Sequence, residues 1–169
     1  MSKSSVKYIV PPNNLRKKQI DAGVTLTIDP ALVGAAESKI IAMKNEYLGW
    51  VVGDLNKLSE ACDEAIKDKD KRAEHVDTLY TRAAEIKGQG GSFGFPLVTT
   101  VGNQLCRYIE IQGNNLSDAQ MEVVKLHVET LRIVIQQRMD GDGGAMGQKL
   151  LTGLSLALKK VTDATSANS

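Results

Sequence analysis

The sequence predicts an all-α fold: an antiparallel four-helix bundle with additional helical or extended elements at its N- and C-terminal ends. Three observations predict it. Apolar residues recur at spacings of three and four along most of the chain, and Asp, Ser, Gly and Pro stand where helices need ends. No segment alternates convincingly with the period of two that a strand requires, residues 24–28 coming nearest. A chain of 169 residues is long enough for one domain with a real core.

Residues 1–28 form a separate basic arm, in which Lys3, Lys7, Arg16, Lys17 and Lys18 against Asp21 give a net charge of +4. It can pack on the domain through Tyr8, Ile9 and Val10, or dock an acidic partner; packing is the simpler reading. The bundle is expected over residues 29–162, with 163–169 as a flexible tail. Asp29 can cap its first helix, and Pro30 suits a first turn where no N–H is needed. Leu48, Val51, Leu55, Leu58, Cys62 and Ala65 mark the buried face, and Val33, Ala36, Ile40 and Met43 form an earlier stripe of slightly different phase. One long bent helix or two consecutive ones fit this pattern, with Trp50 as a packing residue.

After the charged turn KDKDKR, the stripe of Val76, Leu79, Ala83 and Ile86 predicts a second helix. A third opens near Pro96, buries Val98, Val101, Leu105 and Ile109, and ends near Gly113. Ser117 and Gln120 make a capping-box pattern for the fourth, with Leu116 and Met121 as its hydrophobic staple. Its core stripe is Met121, Val124, Val128, Leu131 and Ile135. Val123, Leu126, Ile133 and Val134 widen that stripe enough to serve a larger bundle or a homodimer. DGDGG ends this helix, and a last one carries Leu150, Leu154, Leu158 and Val161.

Composition excludes several function classes. Lys+Arg 21 against Asp+Glu 20 gives a net charge of +1, which favours neither a nucleic-acid nor a membrane partner, and 4% aromatic residues are too few for a base-stacking surface. No run reaches the roughly 18 apolar residues of a membrane span. The N-terminal MSKSSVKYIVPPNN lacks the apolar stretch of a secretory signal, so a cytoplasmic protein is expected. Cys62 and Cys106 match no metal spacing and read as small buried apolar residues, a disulfide being the alternative. Asp140 and Asp142 lack the other ligands of a calcium loop and read as a helix-ending turn. No metal site, cofactor or catalytic triad is predicted.

The segment RAAEIKGQGGSFGF carries the functional argument. A dinucleotide fingerprint would need G-x-G-x-x-G after a strand, and a P-loop would need G-K-[ST] at its end; neither is present. With 100° per residue, Tyr80, Gly88 and Gly91 lie within about 40° of Ala84, and Lys87 lies about 60° to one side. The core stripe of Leu79, Ala83, Ile86 and Gly90 falls beyond Lys87, which puts Ala84 at the exposed margin in a patch of small residues. Such a patch lets another protein approach closely. Among other candidates, His75 precedes Ala84 by nine residues, about half a turn round the helix. His127 belongs to the fourth helix, and Glu85 points about 100° away.

Ala84, Lys87, Gly88 and Gly94 occupy the offsets of the motif His-x-x-Lys-Gly followed by a further Gly, with Ala84 in place of the histidine. Together with the flanks DTLYTRAA and GFPLVTTVGNQLCRYIE, the sequence resembles the histidine phosphotransfer family over roughly residues 45–138. Its ending and its arm are similar to a bacterial subgroup of small stand-alone members. The resemblance implies a bundle of that family's type, in which a receiver-domain aspartyl phosphate meets an imidazole while the lysine stabilises phosphoryl oxygens. Alanine has no lone pair, so no phosphohistidine can form at Ala84. The implied protein is a non-enzymatic variant that docks the receiver domain of a response regulator, or a histidine kinase, through Tyr80, Lys87, Gly88, Gly91 and Gly94. Alternatives are a working phosphotransfer protein whose histidine was substituted at Ala84, and a helical scaffold or dimerisation module.

Overall fold

Asp29 starts the longest helix as its chemistry requires, its carboxylate accepting the Ala31 N–H at 2.9 Å. The computed structural model describes residues 14–23 and 29–167. Every regular element among them is a helix: α1 (Asn14–Asp21), α2 (Pro30–Lys67), α3 (Arg72–Gly90), α4 (Pro96–Gln112), α5 (Asp118–Gln136) and α6 (Gly144–Ala167). Tyr8, Ile9, Val10 and the segment 24–28 lie outside the described residues. The chain divides into two compact units, Met1–Lys39 and Ile40–Ser169. The second unit therefore begins eleven residues later than the expected bundle boundary at Asp29. Lys17 and Lys18 of the basic arm stand exposed on α1, so the N-terminal element expected to be helical or extended is helical over Asn14–Asp21.

Within the second unit, α2 to α5 each supply one buried stripe to a common core, and α6 adds Leu154. On α2 that stripe is Tyr47, Val51, Leu55, Leu58, Cys62 and Ala65, with Leu48 half-buried beside it. Tyr47 anchors its start, its ring stacked on Phe93 at 4.5 Å and tilted against Phe95 at 5.7 Å. Before Tyr47 the apolar pattern continues without cover: Ile40 is 64% exposed and Met43 51%. The earlier stripe of Val33, Ala36, Ile40 and Met43 is therefore no core face. Trp50 corrects another expectation. It is 59% exposed, because it lies about 100° round the helix from Val51 and away from the stripe.

The expected stripes of α3, α4 and α5 are all buried. α3 and α4 run antiparallel, since Lys87, Tyr80 and Asp77, going down α3, bond to Thr99, Glu110 and Asn114, going up α4 and past its end. Gly113 closes α4 with φ 76°, a conformation glycine adopts at no steric cost. The capping box of α5 is complete: Gln120 N–H donates to Ser117 Oγ at 3.3 Å, and Ser117 N–H donates to Gln120 Oε1 at 2.8 Å. Leu116 and Met121 beside it are buried.

α6 packs along α5. Val123 and Val134 of the widened stripe are buried, whereas Leu126 and Ile133 remain exposed. Gly141, Gly143 and Gly144 all have positive φ, so DGDGG is the expected turn, with Asp142 Oδ1 accepting the Gly144 N–H at 2.9 Å. α6 continues to Ala167, so residues 163–167 of the expected tail are helical. Cys62 and Cys106 are both free and buried. No helix among the described residues is long and apolar enough to cross a membrane.

Arg72 ties three segments at one end of this unit. It is 6% exposed, and its Nε donates to the Ala65 carbonyl at 2.9 Å while Nη1 donates to the Leu116 carbonyl at 2.7 Å. Nη2 reaches Asp118 Oδ1 at 2.7 Å, and Lys69 donates to the other carboxylate oxygen at 2.6 Å. Hydrogen bonds from Lys69 and Arg72 hold the Asp118 carboxyl below its usual range. Arg72→Ala strands two buried carbonyls and is expected to cost about 3 kcal/mol in urea unfolding. Asp118→Asn should cost much less, because its carboxylate stands in water.

His127 provides a pH-dependent prediction. It is fully buried on α5, with Nδ1 2.8 Å from the Val123 carbonyl, so that nitrogen carries the proton and donates. Nε2 is buried without a hydrogen-bond partner among the described residues. Burial lowers its pKa below the ordinary 6.5, and the Val123 contact opposes that shift in part. As pH falls below 6.5 the unfolded chain takes up a proton that the folded chain refuses, so stability declines. His127→Leu should flatten the dependence of the urea midpoint on pH between about 6.5 and 5, before the carboxylates titrate.

Candidate functional site

The Gly-rich segment is a turn built for close packing of α3 on α4. Gly90 is buried, and a Cβ there would stand 2.9 Å from Val98 Cβ and 3.0 Å from the Phe95 carbonyl oxygen. The Phe95 N–H closes the turn on the Gly90 carbonyl at 2.8 Å, and the Gly94 N–H donates to the Gly91 carbonyl at 3.3 Å. Gly94 takes φ 83°, in the left-handed region that side chains avoid. The Gly94 carbonyl in turn accepts the Gly141 N–H at 3.2 Å, and the Leu97 N–H donates to the Gly141 carbonyl at 3.3 Å. The turn is thereby laced to the loop before α6. Lys44 completes the lacing, 5.1 Å above the Phe95 ring and paired with Asp140 at 2.5 Å. The Ser92, Gly94 and Phe95 N–H groups are thus all used within the turn, on the Gln89, Gly91 and Gly90 carbonyls.

The surface beside the turn carries most of the residues singled out from the sequence. Ala84 and Tyr80 are half-buried and pack on the edge of the core. The Tyr80 hydroxyl donates to Glu110 at 2.6 Å, and that bond to a carboxylate is the main cause of its raised pKa. Gly88 is exposed, and a Cβ there would meet no atom within 4 Å. Gly91 retains helical backbone angles, φ −63° and ψ −38°, so the stripe of Tyr80, Ala84, Gly88 and Gly91 continues to the last turn. Gly94 leaves this stripe: a Cβ on it would lie 3.5 Å from Lys44 Nζ, beside an open groove of about 290 Å³ that Ile40, Met43 and Phe93 help to line.

Lys87 is half-buried between the stripe and α4, and makes no ion pair among the described residues. Glu85, its neighbour, pairs with Arg82 at 3.1 Å instead. The Lys87 carbonyl accepts from Thr99 Oγ1 at 3.0 Å, and its Cβ rests against Gly102. Burial raises the pKa of the nearby Cys106 thiol, and the Lys87 charge opposes that shift.

Neither histidine supplies a nucleophile to this surface. His75 lies across from α2, with Nδ1 3.3 Å from Glu64, and His127 is enclosed beside Tyr108. No group of His, Cys, Asp or Glu among the described residues could hold a metal ion. The sequence reading missed Thr99, Gly102, Glu110 and Lys44. Gly102 left a readable signal, a glycine between the core positions Val101 and Leu105, where only close approach of another backbone justifies it. The stripe therefore offers a small-residue surface and, beside it, a lysine without an ion pair among the described residues. Set against known proteins, the chain matches no family model, no curated protein and no solved structure.

Proposed function

We propose that this protein is a phosphotransfer-like docking protein without a phosphoryl acceptor. In this reading α2 to α5 are the four helices of a histidine-phosphotransfer bundle, and the stripe around Ala84 binds the receiver domain of a response regulator, or a histidine kinase, in the cytoplasm. The observation that carries it is Lys87. Lys87, half-buried and without an ion pair among the described residues, lies one helical turn from Ala84 and Gly91 and next to Gly88, where a Cβ would meet no atom within 4 Å. An acidic phosphorylation pocket is the partner chemistry such a cation suits. Binding there occupies the partner's phosphorylation site, so the protein competes with true phosphotransfer or alters the lifetime of the receiver phosphate.

The test is to mix the protein with aspartyl-phosphorylated receiver domains carrying radiolabel, and to follow both label and complex. A complex forms and the protein stays unlabelled. Lys87→Ala weakens the complex about tenfold, equivalent to about 1.4 kcal/mol. Ala84→His, placed in the same frame, becomes labelled. Label on the unaltered protein overturns the reading, as does failure to bind any receiver domain or kinase. Binding indifferent to Lys87→Ala points instead to a scaffold that uses another face.

A further inference from the structure

We infer that Gly102 and Thr99 on α4 are positioning residues for Lys87, holding the cation where a docking partner's anionic group meets it; its functional meaning rests on the docking reading above. Both act at the root of the side chain. A Cβ on Gly102 would stand 2.9 Å from Lys87 Cβ, 3.3 Å from Lys87 Cα and 3.6 Å from the Ala83 carbonyl oxygen. Those are backbone and first side-chain atoms, which cannot swing aside as the end of a flexible chain can. The absence of a side chain at 102 thus lets the base of Lys87 lie directly on α4. Thr99 grips the same residue from one turn earlier on α4, its hydroxyl donating to the Lys87 carbonyl at 3.0 Å.

With backbone and Cβ clamped, Lys87 leaves α3 in a fixed direction, and only its outer torsions stay free. The root of Lys87 faces α4, its Cβ against Gly102 and its carbonyl against Thr99, and its charge is felt by the Cys106 thiol one turn beyond Gly102. The contact surface then has two parts: a small-residue stripe on α3, and a lysine rooted against α4. A glycine needed only for helix spacing would leave the direction of Lys87 without consequence for binding.

Two readouts separate these cases. The first needs no partner. In a Cys62→Ala background, the titration of the buried Cys106 thiol, followed by the NMR shift of its labelled Cβ, reports how near the Lys87 charge lies. Lys87→Ala moves that profile to higher pH; Gly102→Ala moves it the same way, and the pair together moves it no further. An unchanged profile in folded Gly102→Ala overturns the inference. The second readout is receiver-domain affinity. Gly102→Ala and Thr99→Val each weaken it about fivefold in the otherwise unaltered protein, and have no effect once Lys87→Ala is present. Equal weakening with and without Lys87 overturns the inference in favour of spacing alone. If Gly102→Ala fails to fold, Thr99→Val, which keeps shape and loses only the hydroxyl, decides the matter by both readouts. Should the unaltered protein bind no receiver while the Cys106 profiles shift as stated, the docking reading falls and the clamp on Lys87 stands.

Discussion

The close approach of α3 to α4 is the constraint on which the rest of the second unit depends. Two glycines permit it, Gly90 against Val98 and Gly102 against Lys87, at distances that leave no room for a methyl group. Close approach brings Thr99 within reach of the Lys87 carbonyl and Glu110 within reach of Tyr80. It also fixes the turn that carries Phe93 and Phe95, against which Tyr47 of α2 packs. The buried Tyr47 hydroxyl has no hydrogen-bond partner among the described residues, and burial, aided by Asp54, pushes its pKa up to about 12. That polar cost is accepted where the aromatic stack seals the core.

The opposite end of the helical hairpin is fixed by different chemistry. Arg72 uses three nitrogens on three segments, so the end of α2, the loop before α5 and the first turn of α5 share one anchor. A guanidinium suits this role because its donors are rigid and spread in one plane. One end is thus held by steric fit and the other by a buried cation. Between them the α3 stripe makes only edge contacts, with Tyr80 and Ala84 at the margin of the core and Gly88 exposed.

Local chemistry was legible in the sequence, and tertiary cover was not. The cap at Asp29 and the box of Ser117 and Gln120 depend on residues two or three positions apart, and they form as read. The stripes of α3 and α4 were readable because helical period alone assigns them. Periodicity states that a face is apolar; it does not state that anything lies opposite. Hence Ile40 and Met43 share the pattern of a core and stay in water, and Trp50, judged by its bulk, does too. The margin position of Ala84 followed from helix angles. The contacts of Lys87 did not, because Thr99 and Gly102 meet it only through the pairing of two helices.

Trp50 has a consequence of its own. It is the chain's single tryptophan, and it is largely exposed on α2. Its indole already samples water in the folded state, so its fluorescence is a poor witness to melting of the core and a good one to anything that settles on the outside of α2. The protein thus carries an intrinsic optical probe aimed outward, at whatever comes to rest on that face of α2.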